Sequence, residues 1–240
     1  MLLILIISFF TFALGNNCIA EVEVELWGNC YNIQTTTQLN VSGAGLSGEI
    51  PPQIGSLSNL YLIDLSNNRL SGQIPSEIGS LVNLNFLYLQ DNRLSGQIPS
   101  EIGNLISLNR LFLSSNNLSG QIPSEIGNLI RLQYLYLFKN NFSGQIPLEI
   151  GLLVKLYKLD LSNNQFSGEI PSEIGNLINL NSLRLFKNNL MGTIPLSFKN
   201  LIELEFLYIQ ENHFKGNVSN SISGLKKLKH FNFDSNQITD

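Results

Sequence analysis

The chain has 240 residues, is 43% hydrophobic and carries 14 basic against 18 acidic side chains, a formal net charge of -4. The charges are scattered along it, so it lacks the basic footprint of a nucleic-acid-binding protein. After the N-terminal apolar run no stretch reaches the ~20 residues needed to cross a bilayer, so no membrane span is expected.

Residues 2–14 form an uncharged apolar run too short for a membrane helix and suited to a secretory signal. Ala13-Leu14-Gly15 offers small residues for cleavage, giving a signal peptide at 1–15; a second candidate cut follows Ala20. Cys18 and Cys30 are the two cysteines. Cleavage after Gly15 would keep both in an oxidising compartment, which favours a disulfide over two free thiols.

Residues 16–35 lie outside the periodic region and are expected to form an N-terminal cap. The acid/apolar alternation of 21–35 suits a strand with one buried face, and Trp27 is large enough to cover the apolar end of an array.

From residue 36 to 240 the chain is one unit copied about nine times. Leu60, Leu84, Leu108, Leu132, Leu156, Leu180, Leu204 and Leu228 recur every 24 residues. Such units bury their apolar side only against neighbouring copies. Each unit predicts a short strand at Leu-x-Leu, as in Leu135-Tyr136-Leu137, with the leucines inward and the middle residue outward. Asn68, Asn92, Asn116, Asn140, Asn164, Asn188, Asn212 and Asn236 follow the strands and are expected to bond neighbouring turns. The chain returns through Ser-Gly-x-Ile-Pro-x-x-Ile-Gly-x-Leu, where prolines such as Pro99, Pro123 and Pro147 keep the outer side from forming long helices.

This unit, L-x-x-L-x-L-x-x-N-x-L-S-G-x-I-P-x-x-I-G-x-L, resembles the plant-type leucine-rich repeat of receptor-like kinases, receptor-like proteins and polygalacturonase-inhibiting proteins over residues 36–218. Trp27-Gly28-Asn29-Cys30 is similar to the W-G-x-x-C of that family's cap, one residue short. The resemblance implies an α/β repeat solenoid, a right-handed curved superhelix with a parallel sheet on its concave face. The ninth unit stops after its asparagine turn. A truncated chain, end-to-end association through that repeat, and Phe231 and Phe233 acting as plugs all remain open.

The open sheet is the large surface free to vary. Its central outward column reads Asn40, Asp64, Tyr88, Phe112, Tyr136, Asp160, Arg184, Tyr208 and Asn232, with aromatics on three consecutive strands. Phe138 and Phe186 follow in the next column, Phe86, Tyr134 and Phe206 in the preceding one, and Arg110, Lys139, Lys158 and Lys187 border the band. Cross-strand ring pairing alone would contribute roughly 0.2–1 kcal/mol per pair. So many rings on a polar face point instead to a partner. Ion pairs are expected for Asp160 with Arg184 and Lys187 with Glu211.

No catalytic constellation emerges. Asp64 and Asp160 stand roughly 19 Å apart by strand spacing, and neither His213 nor His230 has a nucleophile arranged beside it. The return-side column of Glu77, Glu101, Glu125, Glu149 and Glu173 supplies too few ligands for calcium. No metal or cofactor is expected. Sequons at Asn40, Asn117, Asn141 and Asn217 are candidate glycosylation sites.

The reading is a non-enzymatic, secreted or cell-surface module binding a protein or peptide ligand through Tyr88, Phe112, Tyr136, Phe138, Asp160, Arg184, Phe186, Tyr208, Lys139 and Lys187. Resemblance to polygalacturonase inhibitors adds inhibition of a secreted polysaccharide-degrading enzyme as an alternative. A passive, wall-associated structural glycoprotein is another.

Overall fold

The structure is a computed structural model that describes residues 18–239. The signal segment at 1–15 lies outside the described residues.

Repetition in the sequence becomes repetition in space. Nine three-residue strands, Gln38–Asn40 through Tyr134–Tyr136 to His230–Asn232, line up in chain order in one parallel sheet. Their register is the sequence period itself: Tyr134 faces Lys158, Leu135 faces Leu159, and Tyr136 faces Asp160. A side-chain period of two then turns Leu135 and Leu137 into the core, both fully buried, and leaves Tyr136 outward. Ile126, Leu129 and Leu132 fill the same core from the return segment.

A second parallel sheet of seven strands flanks the first, from Ser95–Gly96 to Gln237–Thr239. It pairs as a staircase. Asn141 and Phe142 face Ser119 and Gly120 of the preceding repeat, whereas Ser143 and Gly144 face Gln165 and Phe166 of the next. Gly144, at φ +77°, turns the chain out of this strand in a conformation that costs an L side chain dearly. Along the core under this sheet, the fully buried Phe142 and Phe166 stack at 6.1 Å.

The outer side consists of five-residue 3-10 turns, such as Leu148–Leu152, each entered through a proline whose fixed φ of about -66° suits the start. The one α-helix among the described residues is the single turn Ser219–Ile222, where Ser219 takes the place of the proline. Successive outer turns pack tightly. A Cβ on Gly151 would lie 2.5 Å from the Glu173 carbonyl oxygen, so only glycine permits that spacing.

Asparagines lock the turns after the inner strands. Asn140 accepts the Leu118 N–H at 3.0 Å and donates to the carbonyls of Leu113 and Leu137 at 2.9 and 3.1 Å. The residue before each asparagine is left-handed without being glycine, including Lys139 at φ 54° and Lys187 at φ 56°. The asparagine bonds hold that conformation, which is uncommon for such side chains.

At the N-terminal end the expected strand is instead a hairpin: Glu23–Leu26 runs antiparallel to Asn29–Asn32. Trp27 and Gly28 form the turn with φ of 48° and 78°, the positive pair that a two-residue hairpin turn requires. Val24 and Leu26 are the buried residues that close the core, while the Trp27 indole is half-buried and donates to the Glu49 carbonyl at 3.1 Å. Cys18 and Cys30 form the expected disulfide. In the last repeat Leu228, Phe231, Phe233 and Ile238 are only partly buried. Lys227 and Lys229 pair with Glu203 and Glu205 at 2.6 and 2.8 Å.

Candidate ligand-binding face

Parallel pairing in register brings the outward residues of successive strands side by side, and the aromatic column becomes a continuous ladder. Tyr88 and Phe112 lie 5.0 Å apart between ring centroids, and Phe112 and Tyr136 lie 4.4 Å apart with planes inclined by 18°. Phe86, Tyr134 and Phe138 extend it sideways at 6.2 to 6.5 Å. Because Phe112 and Tyr136 cover each other's faces, what they offer outward is ring edges and a hydroxyl. The stack contributes cross-strand pairing to the sheet and still leaves a half-buried, amphipathic surface.

Arg110, expected at the border, sits inside the ladder. Its guanidinium carbon is 5.5 Å from the Phe86 centroid and 5.0 Å from that of Tyr134, and Nη1 donates to the Tyr88 hydroxyl at 3.3 Å. The arrangement follows from register, since strand Arg110–Phe112 lies between Phe86–Tyr88 and Tyr134–Tyr136. A guanidinium between two rings gains attraction from both faces.

Asp160 interrupts the ladder, and its placement differs from the outward, accessible one expected for it. The residue is 7% exposed. Its Oδ1 accepts the Ser162 N–H at 3.0 Å and the Ser162 hydroxyl at 2.6 Å, so the carboxylate is drawn down against the sheet. Burial raises its pKa from the ordinary carboxylate value, against the lowering effects of the Ser162 bonds and of Arg184. Arg184 Nη1 stands 3.8 Å from Asp160 Oδ2, and its guanidinium carbon is 5.4 Å from the Tyr208 ring. Burial also raises the Tyr136 phenol, with the Asp160 charge adding to the effect.

The short Asp160 leaves a depression of about 130 Å³ lined by Tyr136, Phe138, Lys158, Leu159, Asp160, Ser182 and Arg184. Phe186 and Tyr208 lie half-buried beyond it, while Lys139 and Lys187 are exposed on the turns that follow their strands. Lys187 reaches Glu211 at 3.6 Å. Tyr157, absent from the aromatic columns of the sequence, is exposed and meets Tyr134 at 5.9 Å with Lys158 Nζ 5.9 Å from its ring. It precedes the strand and so falls outside the Leu-x-Leu columns.

All four sequon asparagines are exposed. Asn40 stands on the first strand of the large sheet, and Asn117, Asn141 and Asn217 belong to the second. Among the described residues no helix is long and apolar enough to cross a membrane.

Comparison with known proteins places this surface in context. Residues 111–240 match the family described as Leucine-rich repeat region, and 59–81 and 83–105 each match a Leucine Rich Repeat. No curated protein matches the chain. Among solved structures it is similar to the plant peptide hormone receptor RGFR1 in complex with RGF2, at 37% identity and TM-score 0.82, covering 84% of this chain and 32% of that one. It is also similar to the Arabidopsis receptor kinase HAESA ectodomain in complex with an N-terminally extended IDA peptide hormone, at 39% identity and TM-score 0.79, covering 85% and 34%. A plant ice-binding protein matches at 27% identity and TM-score 0.63, covering 92% of this chain and 77% of that one. The chain thus spans about a third of the length of the two receptors. With the 24-residue unit, the paired parallel sheets and these matches together, the chain belongs to the leucine-rich repeat family, as a protein of the plant type.

Proposed function

We propose that the chain is an extracellular recognition module that takes a peptide or protein ligand across its concave sheet. The observation that carries this reading is the unbroken ladder of Tyr88, Phe112 and Tyr136, half-buried on an open sheet. Rigid aromatics whose apolar bodies end in a polar tip are the side chains that dominate binding interfaces. Arg184, Lys139 and Lys187 would orient the ligand, with Phe138, Phe186 and Tyr208 adding contact area. RGFR1 and HAESA, each in complex with a peptide hormone, support the ligand class. The disulfide, the exposed sequons and the apolar N-terminal run support secretion.

The test is selection of a displayed random peptide library on the immobilised chain. Peptides recovered on the wild type are expected to lose about thirtyfold or more in affinity for a Tyr88→Ala, Phe112→Ala, Tyr136→Ala variant that keeps its circular dichroism. Unchanged affinity of every recovered peptide would remove the concave face from the reading.

A second reading rests on the opposite side. Val82, Ile106, Ile130, Val154, Ile178 and Ile202 hold one position of six successive repeats and are 46 to 56% exposed. Exposed, uncharged Ser80, Asn104, Asn128, Asn176 and Asn200 run beside them, with the exposed Leu152 between the third and fourth. The close-packed outer turns set these rungs at an even spacing, and evenly spaced aliphatic groups interleaved with amides can order water at their surface. The likeness to a plant ice-binding protein makes ice the lattice to test. Thermal hysteresis and faceted ice growth are expected for the wild type and are lost in an Ile130→Lys, Ile178→Lys variant. Smooth, disc-shaped crystals with the wild type would end this reading.

A further inference from the structure

The charge on the inner face is segregated in a way that the overall balance conceals. Across four successive repeats, the inner segments 109–116, 133–140, 157–164 and 181–188 hold five cations, Arg110, Lys139, Lys158, Arg184 and Lys187, against one acid, Asp160. The three intervening return segments hold four acids, Glu125, Glu149, Glu169 and Glu173, against two cations, Arg131 and Lys155. A chain with a net charge of -4 therefore turns a positive strip toward the centre of its sheet.

That strip is not neutralised from within. Among the described residues the ion pairs made by these five cations are Arg184 with Asp160 and Lys187 with Glu211, the first at 3.8 Å and the second between half-exposed groups. Arg110, Lys139 and Lys158 have, among the described residues, no carboxylate within 4.0 Å. The lone acid is buried, with one oxygen committed to Ser162. Lys158 and Arg184 flank the 130 Å³ depression, with the Tyr136 and Phe138 rings completing its wall and Ser182 buried at its floor.

We infer that the ligand is an acidic peptide whose Asp or Glu side chain seats in the depression between Lys158 and Arg184. The inference rests on the concave-face reading and specifies its chemistry. A carboxylate there accepts hydrogen bonds from both cations, and its charge compensates the excess left after Asp160 is counted against them. Geometry also sets the spacing. Tyr88 to Tyr136 spans two strand intervals, roughly 10 Å, and the depression lies one interval further. At about 3.3 Å per residue an extended peptide covers the rings with about three residues, apolar ones preferred, and places the acidic residue one or two positions beyond.

The experiment sequences peptides recovered from the same display selection and measures their affinities against Lys158→Glu and, as a control, Lys215→Glu. Lys215 is exposed on the flanking sheet, away from the strip. The expected result is enrichment of Asp or Glu one or two residues beyond an apolar stretch, a loss of about tenfold or more on Lys158→Glu, and no loss on Lys215→Glu. Raising the salt concentration should weaken wild-type binding and leave Lys158→Glu little affected. Thermal unfolding confirms that both variants fold, and an Arg184→Gln variant gives a second reading of the same site. Recovered peptides that need Tyr88, Phe112 and Tyr136 but show no acidic enrichment, or bind Lys158→Glu as well as wild type, would overturn this inference and leave the concave-face reading standing. Recovered peptides indifferent to the aromatic triple variant would overturn both.

Discussion

Two positions only a few residues apart on each turn of the chain behave in opposite ways. The position after the inner strand is asparagine from Asn68 to Asn236 in eight successive repeats, with Ala44 in the first, whereas the middle of Leu-x-Leu runs through asparagine, aspartate, tyrosine, phenylalanine and arginine. The asparagine is bound to three backbone groups belonging to its own and the neighbouring turns, so one residue type meets the same demand each time. The middle residue has its backbone in the sheet and its side chain outside it, so the fold places no demand on its chemistry. Where the fold sets no single residue type, the clustered rings add cross-strand pairing and leave the rest of their choice open to demands other than folding.

The sharpest way to break that comparison is to remove one side chain of each kind at adjacent residues. Asn140→Ala leaves the Leu118 N–H without its acceptor in a buried place, whereas the Leu113 and Leu137 carbonyls keep the Asn116 and Asn164 amides at 3.1 and 3.0 Å. At about 1–3 kcal/mol for one buried donor left unsatisfied, the variant is expected to lose about 1–3 kcal/mol in urea unfolding. Lys139→Ala, one residue earlier and exposed, is expected to change stability by no more than about 0.5 kcal/mol. Equal losses would mean that the turn, and not the asparagine, holds the repeats together.

This difference also decides what could be read from the sequence. The inward leucines, the single nine-stranded sheet, the asparagine bonds and the Cys18–Cys30 pairing were all legible, because each follows from a spacing or a compartment. The second sheet was not. Its strands are two to five residues long, and pairing half of each with either neighbour leaves no alternation to detect. The hairpin was missed because Trp27 was weighed as a bulky lid, whereas its positive φ beside Gly28 makes it the turn and leaves Val24 and Leu26 to close the core. At the candidate site the column order was legible, but side-chain direction was not. Arg110 reaches between two rings, and Asp160 is drawn down by Ser162, a contact two residues along the same segment that column reading does not register.

Asp160 offers the finest test, because Asp64 carries the same local motif without the same surroundings. Both accept the N–H and hydroxyl of a serine two residues on, at 3.0 and 2.6 Å. Asp64 is half-buried, whereas Asp160 is buried between Tyr136 and Arg184. Burial, the largest influence on Asp160, raises its folded-state pKa, so the folded chain holds that proton more tightly than the unfolded one. The stabilisation from proton uptake is complete below the unfolded value and lost as pH rises through the raised folded value, so at neutral pH the ionised group is a net cost. An asparagine keeps the oxygen that accepts from Ser162 and carries no charge. Asp160→Asn is therefore expected to be at least as stable as wild type at neutral pH. Wild type should gain on the variant as pH falls into the carboxylate range, with other acids cancelling in the difference. If Arg184 outweighed burial the sign would reverse, and wild type would lose ground on acidification. Urea midpoints of the two proteins across the acid range separate these outcomes, and the result fixes whether burial or the Arg184 charge governs the Asp160 carboxylate.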